Sequence, residues 1–149
     1  MTLKQKIFSH YHHVLHEKIK SLQQVLSDLK ESGSNETKST AGDKHETALA
    51  MLQIEQANVR AQLKEAQEQL AVFERIDPAV SSTVIMNGSL IKTDKGFFFL
   101  TVAAGKAVVD GQVVIAVSGQ SPLGSRMRGR REGDEVVVNG ISYLVEAVE

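Results

Sequence analysis

Cysteine is absent from this chain. Its absence excludes a disulfide framework, a zinc ribbon and a thiol nucleophile. It also suits a reducing compartment, and a cytoplasmic location is expected. No apolar run approaches the ~20 residues of a membrane span, so no membrane partner is expected. The opening Met1-Thr2-Leu3-Lys4-Gln5-Lys6 leads straight into an amphipathic helical pattern, without the apolar core of a signal peptide. The net charge is only -1. A generally basic, nucleic-acid-coating protein is therefore excluded, and any basic partner surface must be local. Proline occurs only as Pro78 and Pro122, so neither long helical pattern is interrupted.

What is present divides in two. Lys, Glu, Gln, Leu and Ala dominate the first half, and Val, Gly and Ile the second. The change falls at Asp77-Pro78, which predicts a helical part over residues 1–77 and a β-rich part over 78–149. Over residues 3–29, Phe8, Leu15, Leu22 and Leu29 recur every seven residues, and Tyr11, Lys18 and Val25 occupy the second seam position. Ile7, Val14, Ile19 and Leu26 widen this stripe, and Gly33 is the expected stop. In the second helix, Leu49, Leu52, Gln56, Val59, Leu63, Ala66, Leu70 and Phe73 alternate steps of three and four. Two such helices with a short connection predict an antiparallel coiled-coil hairpin.

The connection is polar. From Gly33 to Glu46 it holds no aliphatic residue larger than Ala, so residues 33–46 form the expected tip. Asp43 and Glu46 place two carboxylates one helical turn apart. Two roles fit them: a capping-box-like helix start, or a pair that contributes to a Mg²⁺ site completed by a partner's ligands. The pair alone has no pocket and is not an active site.

The β-rich part reads as strands over 82–90, 97–103, 106–109, 112–117, 135–138 and 141–148. Asn139-Gly140 is the preferred two-residue hairpin turn. Ser121-Pro122 starts a short helix as N-cap and first residue, and Gly129 closes it. The expected fold class is α+β: an antiparallel coiled-coil hairpin, then a small antiparallel β domain with one short helix. Phe97, Phe98 and Phe99 send aromatics to both sheet faces. His10, His12, His13 and His16 cluster on the first helix. His12 and His16 have the spacing for a shared metal, but no third ligand follows at useful spacing, and a solvated face is the competing reading. Arg126, Arg128, Arg130 and Arg131 lie beside Glu132, Asp134 and Glu135. They are either a solvated end with local ion pairs or a docking patch for an acidic protein surface.

Three features together resemble the Gre family of bacterial transcript-cleavage factors (GreA and GreB). They are Gly42-Asp43-Lys44-His45-Glu46-Thr47 at the tip, Ser121-Pro122-Leu123-Gly124 followed by Gly129 and Gly133-Asp134-Glu135-Val136, and the order helix, tip, helix, β-rich domain. The resemblance covers nearly the whole chain. It implies an accessory factor of RNA polymerase, not an enzyme itself, that inserts its hairpin into the secondary channel and promotes cleavage of backtracked RNA. Asp43 and Glu46 would act near the RNA 3′ end on the polymerase's Mg²⁺, with no cofactor of their own. The C-terminal domain would be FKBP-like in shape and dock on the polymerase through Ser121, Pro122, Leu123, Gly124, Arg126, Arg128, Arg130 and Arg131, and a monomer is expected. Residues 2–8 and 102–106 depart from the family pattern, which leaves open a non-cleaving regulator that only occupies the channel. A peptidyl-prolyl isomerase is suggested by the implied domain shape alone.

Overall fold

A computed structural model describes residues 1–39 and 43–149, with the backbone alone for 35–39 and 43–45. The elements are α1 (Leu3–Ser39), α2 (Asp43–Phe73), β1 (Leu90–Thr93), β2 (Gly96–Thr101), β3 (Gly105–Val109), β4 (Gln112–Ser118), α3 (Pro122–Met127), β5 (Glu135–Val138) and β6 (Ile141–Val148). This is an α+β chain with two N-terminal helices, a mostly antiparallel sheet and a short helix. Met1–His13 with Ala71–Glu149 form one compact unit, and Val14–Leu70 a second. The first unit therefore includes the start of α1 and the end of α2, whereas composition alone divides the chain at 77 and 78.

In the unit Val14–Leu70, the buried or half-buried positions of α1 are Leu15, Ile19, Leu22, Leu26, Leu29 and Gly33. Those of α2 include Leu49, Leu52, Gln56, Val59, Leu63 and Ala66. The second set is the sequence reading without change. The first is not: Lys18 is exposed and Val25 is 41% exposed. Two successive four-residue steps, 11 to 15 to 19, shift the phase like a coiled-coil stutter. Carrying the frame of Phe8 and Tyr11 past that point puts Lys18 and Val25 in the seam by mistake.

Gly33 does not end α1, which continues to Ser39. A glycine inside a helix costs only ~1 kcal/mol, which pairing with α2 can offset. The polar seam residue Gln56 is engaged at both ends. Its Nε2 donates to the Leu29 carbonyl at 3.3 Å, and its Oε1 accepts from Arg60 at 3.5 Å. A polar group so placed fixes the register of the two helices. We expect Leu63→Ala to destabilise the chain by ~2 kcal/mol, the low end for a leucine that is only half-buried. Lys64→Ala, on the exposed side, should change the denaturation midpoint very little. Equal effects would mean that the seam phase is misassigned.

In the first unit, α1 opens with a reciprocal cap. Thr2 Oγ1 accepts from the Gln5 amide at 3.2 Å, and Gln5 Oε1 accepts from the Thr2 amide at 3.0 Å. The sheet order is β3-β4-β2-β1-β6-β5. Its neighbours are antiparallel except β2 and β4, which run parallel from Phe97↔Val114 to Thr101↔Ser118. The small antiparallel sheet expected from the sequence is thus present, with one parallel pair inside it. The β3–β4 hairpin turns at Asp110-Gly111 and returns β4 between β3 and β2, in the direction of β2. Asp110 (φ 51°) and Gly111 (φ 75°) are both left-handed, as are Asn139 (φ 52°) and Gly140 (φ 78°) between β5 and β6. Both turns thus have the backbone that two-residue hairpins favour. The strand expected over 82–90 is absent apart from a single bridge between Val84 and Arg131. The chain turns at Asn87-Gly88, with the Ser89 amide on the Met86 carbonyl, before β1 begins.

Each face of the sheet carries an apolar cluster, centred on β2. Phe98 and Leu100 join Ile85, Ile91, Val136, Val145 and Met127 of α3 in one cluster. On the other face, Phe99 meets Phe73 edge-on at 6.2 Å and Tyr11 at 6.4 Å. Tyr11 donates its hydroxyl to the Gly105 carbonyl at 2.7 Å, and the Val114 carbonyl is a second acceptor at 3.2 Å. No helix among the described residues is long and apolar enough to cross a membrane.

Candidate functional site

The two stretches picked out by the sequence stand in different structural situations. α2 begins at Asp43, which puts Glu46 one turn inside its start, where anionic side chains are favoured. Glu46 is exposed. The side chain of Asp43, and with it the paired-carboxylate geometry, lies outside the described residues.

The second stretch is fully described, and its parts divide by task. The Ser121 hydroxyl donates to the Ser118 carbonyl at 2.6 Å and accepts from the Gly124 amide at 3.0 Å. It thus ties the end of β4 to the first turn of α3, with Pro122 at the helix start. Leu123 packs on the core cluster. Gly124 is buried against Ser118, where no side chain fits. Ser121, Leu123 and Gly124 are therefore occupied in building the fold.

The arginines are displayed from the segment that follows. Arg126, Arg128, Arg130 and Arg131 are all exposed. Their backbone is pinned to residues 84–85. The Gly129 amide donates to the Ile85 carbonyl at 2.8 Å, and the Ile85 amide to the Arg130 carbonyl at 2.9 Å. Gly129 (φ 85°) and Gly133 (φ 92°) provide the bends on either side. Arg128 donates to Asn87 Oδ1 at 2.7 Å. Of the two readings of this stretch, the one with local ion pairs to Glu132, Asp134 and Glu135 is not met: among the described residues no carboxylate lies within 4.0 Å of these guanidinium groups. Asp134 instead accepts from the Arg131 amide at 2.9 Å, and Glu135 from the Ser142 hydroxyl. The result is a set of exposed cations on a fixed backbone, without a carboxylate partner among the described residues.

The histidine face is partly structural. His12 stacks on Phe8 (5.8 Å) and Phe73 (6.2 Å), and its Nε2 lies 3.3 Å from Glu74 Oε1. His10 packs edge-on against Tyr11 at 5.5 Å. Neither Asn87 beside Arg128 nor Glu74 beside His12 was found by sequence reasoning. Both partners come from distant segments, and no local spacing signals them.

No protein-family model matches the chain, and no curated protein sequence matches it significantly. Among solved structures, the GreA factor homolog 1 (Gfh1) protein of Thermus thermophilus is similar over 93% of this chain and 94% of that one, with 15% identity and a TM-score of 0.37. At that score the likeness carries no argument about function.

Proposed function

We propose that this chain is a Gre-type factor that binds RNA polymerase, enters its secondary channel with the two-helix hairpin, and promotes cleavage of backtracked RNA. The observation that supports this most is the combination of parts on one chain. A long helix pair has carboxylate residues at the start of α2, and it is joined to a β unit that displays four arginines without a carboxylate partner among the described residues, on a pinned backbone. Under this reading Arg126, Arg128, Arg130 and Arg131 dock on an acidic rim of the polymerase. Ser121, Pro122, Leu123 and Gly124 hold α3 so that the arginines face outward. The factor works as a cytoplasmic monomer and is not itself an enzyme.

Two carboxylates one turn apart are too few to hold Mg²⁺ alone, because the ion demands near-octahedral ligation and gives up its waters reluctantly. The polymerase's Mg²⁺ would supply the Lewis acid and the activated water. Asp43 and Glu46 would orient that water by accepting its hydrogens, near the RNA 3′ end. The alternative, a regulator that occupies the channel without cleaving, is favoured by the departures at residues 2–8 and 102–106.

The experiment is RNA cleavage in stalled elongation complexes, with the parent and with Asp43→Asn/Glu46→Gln. The double substitution keeps side-chain size and much of the capping capacity while removing both charges. We expect it to bind polymerase like the parent and to lose at least 100-fold in stimulated cleavage, a usual scale for removing positioned catalytic groups. A parent that binds but never stimulates cleavage at saturating Mg²⁺ would leave the channel-occupying regulator. A variant that cleaves like the parent would reduce the pair to a helix cap.

A further inference from the structure

Lys4 is an unusual residue for a protein interior. It is 4% exposed, and its ammonium donates to a neutral acceptor, the Val80 carbonyl, at 2.6 Å. Among the described residues no carboxylate lies within 4.0 Å of it. Buried charges are ordinarily paired, because an unpaired one gives up hydration without a counter-ion. Thr101 is a second exception. It is 7% exposed, and its Oγ1 has no hydrogen-bond partner among the described residues. Such groups call for an explanation one by one.

Both residues line the same cavity, of about 340 Å³. That is the lower end of the range of small-molecule sites. Its walls are mostly apolar, with Ile76, Val80 and Met86 among them. One wall is braced: the Gly88 amide donates to the Leu100 carbonyl at 2.6 Å, and the Leu100 amide to the Ser89 carbonyl at 3.0 Å. Gly88 (φ 92°) lets this wall approach, since a Cβ there would lie 2.9 Å from Ile76. The charged lining residues are Lys4, Arg75 and Asp77, two cations and one anion.

We propose that this cavity binds a small organic monoanion, a carboxylate or sulfonate with an apolar body, its head on Lys4 and its body against Ile76, Val80 and Met86. The apolar walls select a body that a free inorganic ion lacks. The carboxylate of Asp77 opposes a second negative charge, which disfavours a phosphate dianion. The same balance acts on Lys4 itself. Burial lowers its pKa from the ordinary lysine value, and the more distant carboxylates of Glu149 and Asp77 offset only part of that. A bound anion supplies the missing counter-charge. This inference is independent of polymerase binding.

The probe is 8-anilinonaphthalene-1-sulfonate, an aromatic monoanion, titrated into the full chain and followed by fluorescence. N-phenyl-1-naphthylamine, the same body without the sulfonate, is the comparison. We expect saturable binding at one site per chain, at least tenfold weaker binding of the neutral analogue, and at least tenfold weaker binding of the sulfonate by Lys4→Met. Lys106→Met removes an exposed cation outside the cavity and should bind as the parent does. Amide spectra of the parent should shift at Gly88 and Ser89 on adding the sulfonate, a readout that holds even if Lys4→Met folds poorly. The proposal is overturned by non-saturable binding, by equal affinity for the neutral analogue, by a folded Lys4→Met that binds undiminished, or by amide shifts confined elsewhere.

Discussion

Phe73→Ala should destabilise the protein by about 3–5 kcal/mol, the usual cost of truncating a fully buried phenylalanine. Phe73 is 0% exposed and is held by rings on two sides. Phe8 stacks on it at 4.6 Å with the rings inclined by 15°, and Phe99 of β2 meets it edge-on at 6.2 Å. Such aromatic pairs contribute about 0.5–1.5 kcal/mol beyond the apolar area they bury. The consequence reaches past one side chain. Phe73 is the last residue of α2, and its contact with Phe99 helps hold that helix end on the sheet. In a chain of this size the loss corresponds to a fall in melting temperature of roughly 10 °C. Val72→Ala is the matched control. Val72 precedes Phe73 on the same helix end but is 43% exposed, and its truncation should move the midpoint by no more than ~0.5 kcal/mol. If Phe73→Ala and Val72→Ala shift the denaturant midpoint equally, the helix ends contribute little to the core of this unit.

These residues also show what the sequence could reveal. Along α2 the three-four alternation identified every seam residue, because helical spacing alone decides which side chains share a face. Along α1 the same rule failed between Tyr11 and Ile19, where two four-residue steps change the phase. The hairpin turn at Asn139-Gly140 and the cap at Ser121 were legible for a similar reason: each depends on local backbone chemistry. The parallel pairing of β2 with β4 was not, since it follows from where the β3–β4 hairpin lands.

For the candidate site, the carboxylate spacing at the start of α2 and the arginine run were visible as residue types. The state of the arginines was not. Whether Arg128 faces a carboxylate or Asn87 is decided by a residue 41 positions away. Lys4 carries a sequence signal of its own. The buried positions 4, 7, 11 and 15 continue one helical stripe, and a lysine on such a stripe marks a charge carried into the interior. Its acceptor, the Val80 carbonyl, is 76 residues away and left no trace in the local pattern.

Gly124→Ala should cost about 3 kcal/mol, the upper part of the range for overpacking a tight site, although helix propensity favours alanine by up to ~1 kcal/mol. Gly124 does not owe its place to a left-handed backbone, since it lies within α3 at an ordinary negative φ. Its constraint is space. A Cβ there would fall 2.0 Å from the Ser118 carbonyl oxygen and 3.0 Å from Ser121 Oγ. The carbonyl cannot easily retreat, because it already accepts from the Ser121 amide at 3.1 Å and the Ser121 hydroxyl at 2.6 Å. Relief therefore means moving α3, which carries the fully buried Met127 onto the core and precedes the pinned arginine segment. Ser121→Ala, which removes the cap but creates no overlap, should cost only ~1 kcal/mol. Gly111→Ala separates the conformational from the steric effect. Gly111 has φ 75° with nothing within 4 Å of its Cβ position, so only the left-handed penalty of ~1–2 kcal/mol applies. The expected order of denaturant midpoints is parent, then Ser121→Ala and Gly111→Ala, then Gly124→Ala. If Gly124→Ala is as stable as the parent, the end of β4 yields without disturbing α3, and the glycine of the Ser-Pro-Leu-Gly stretch is not there for space.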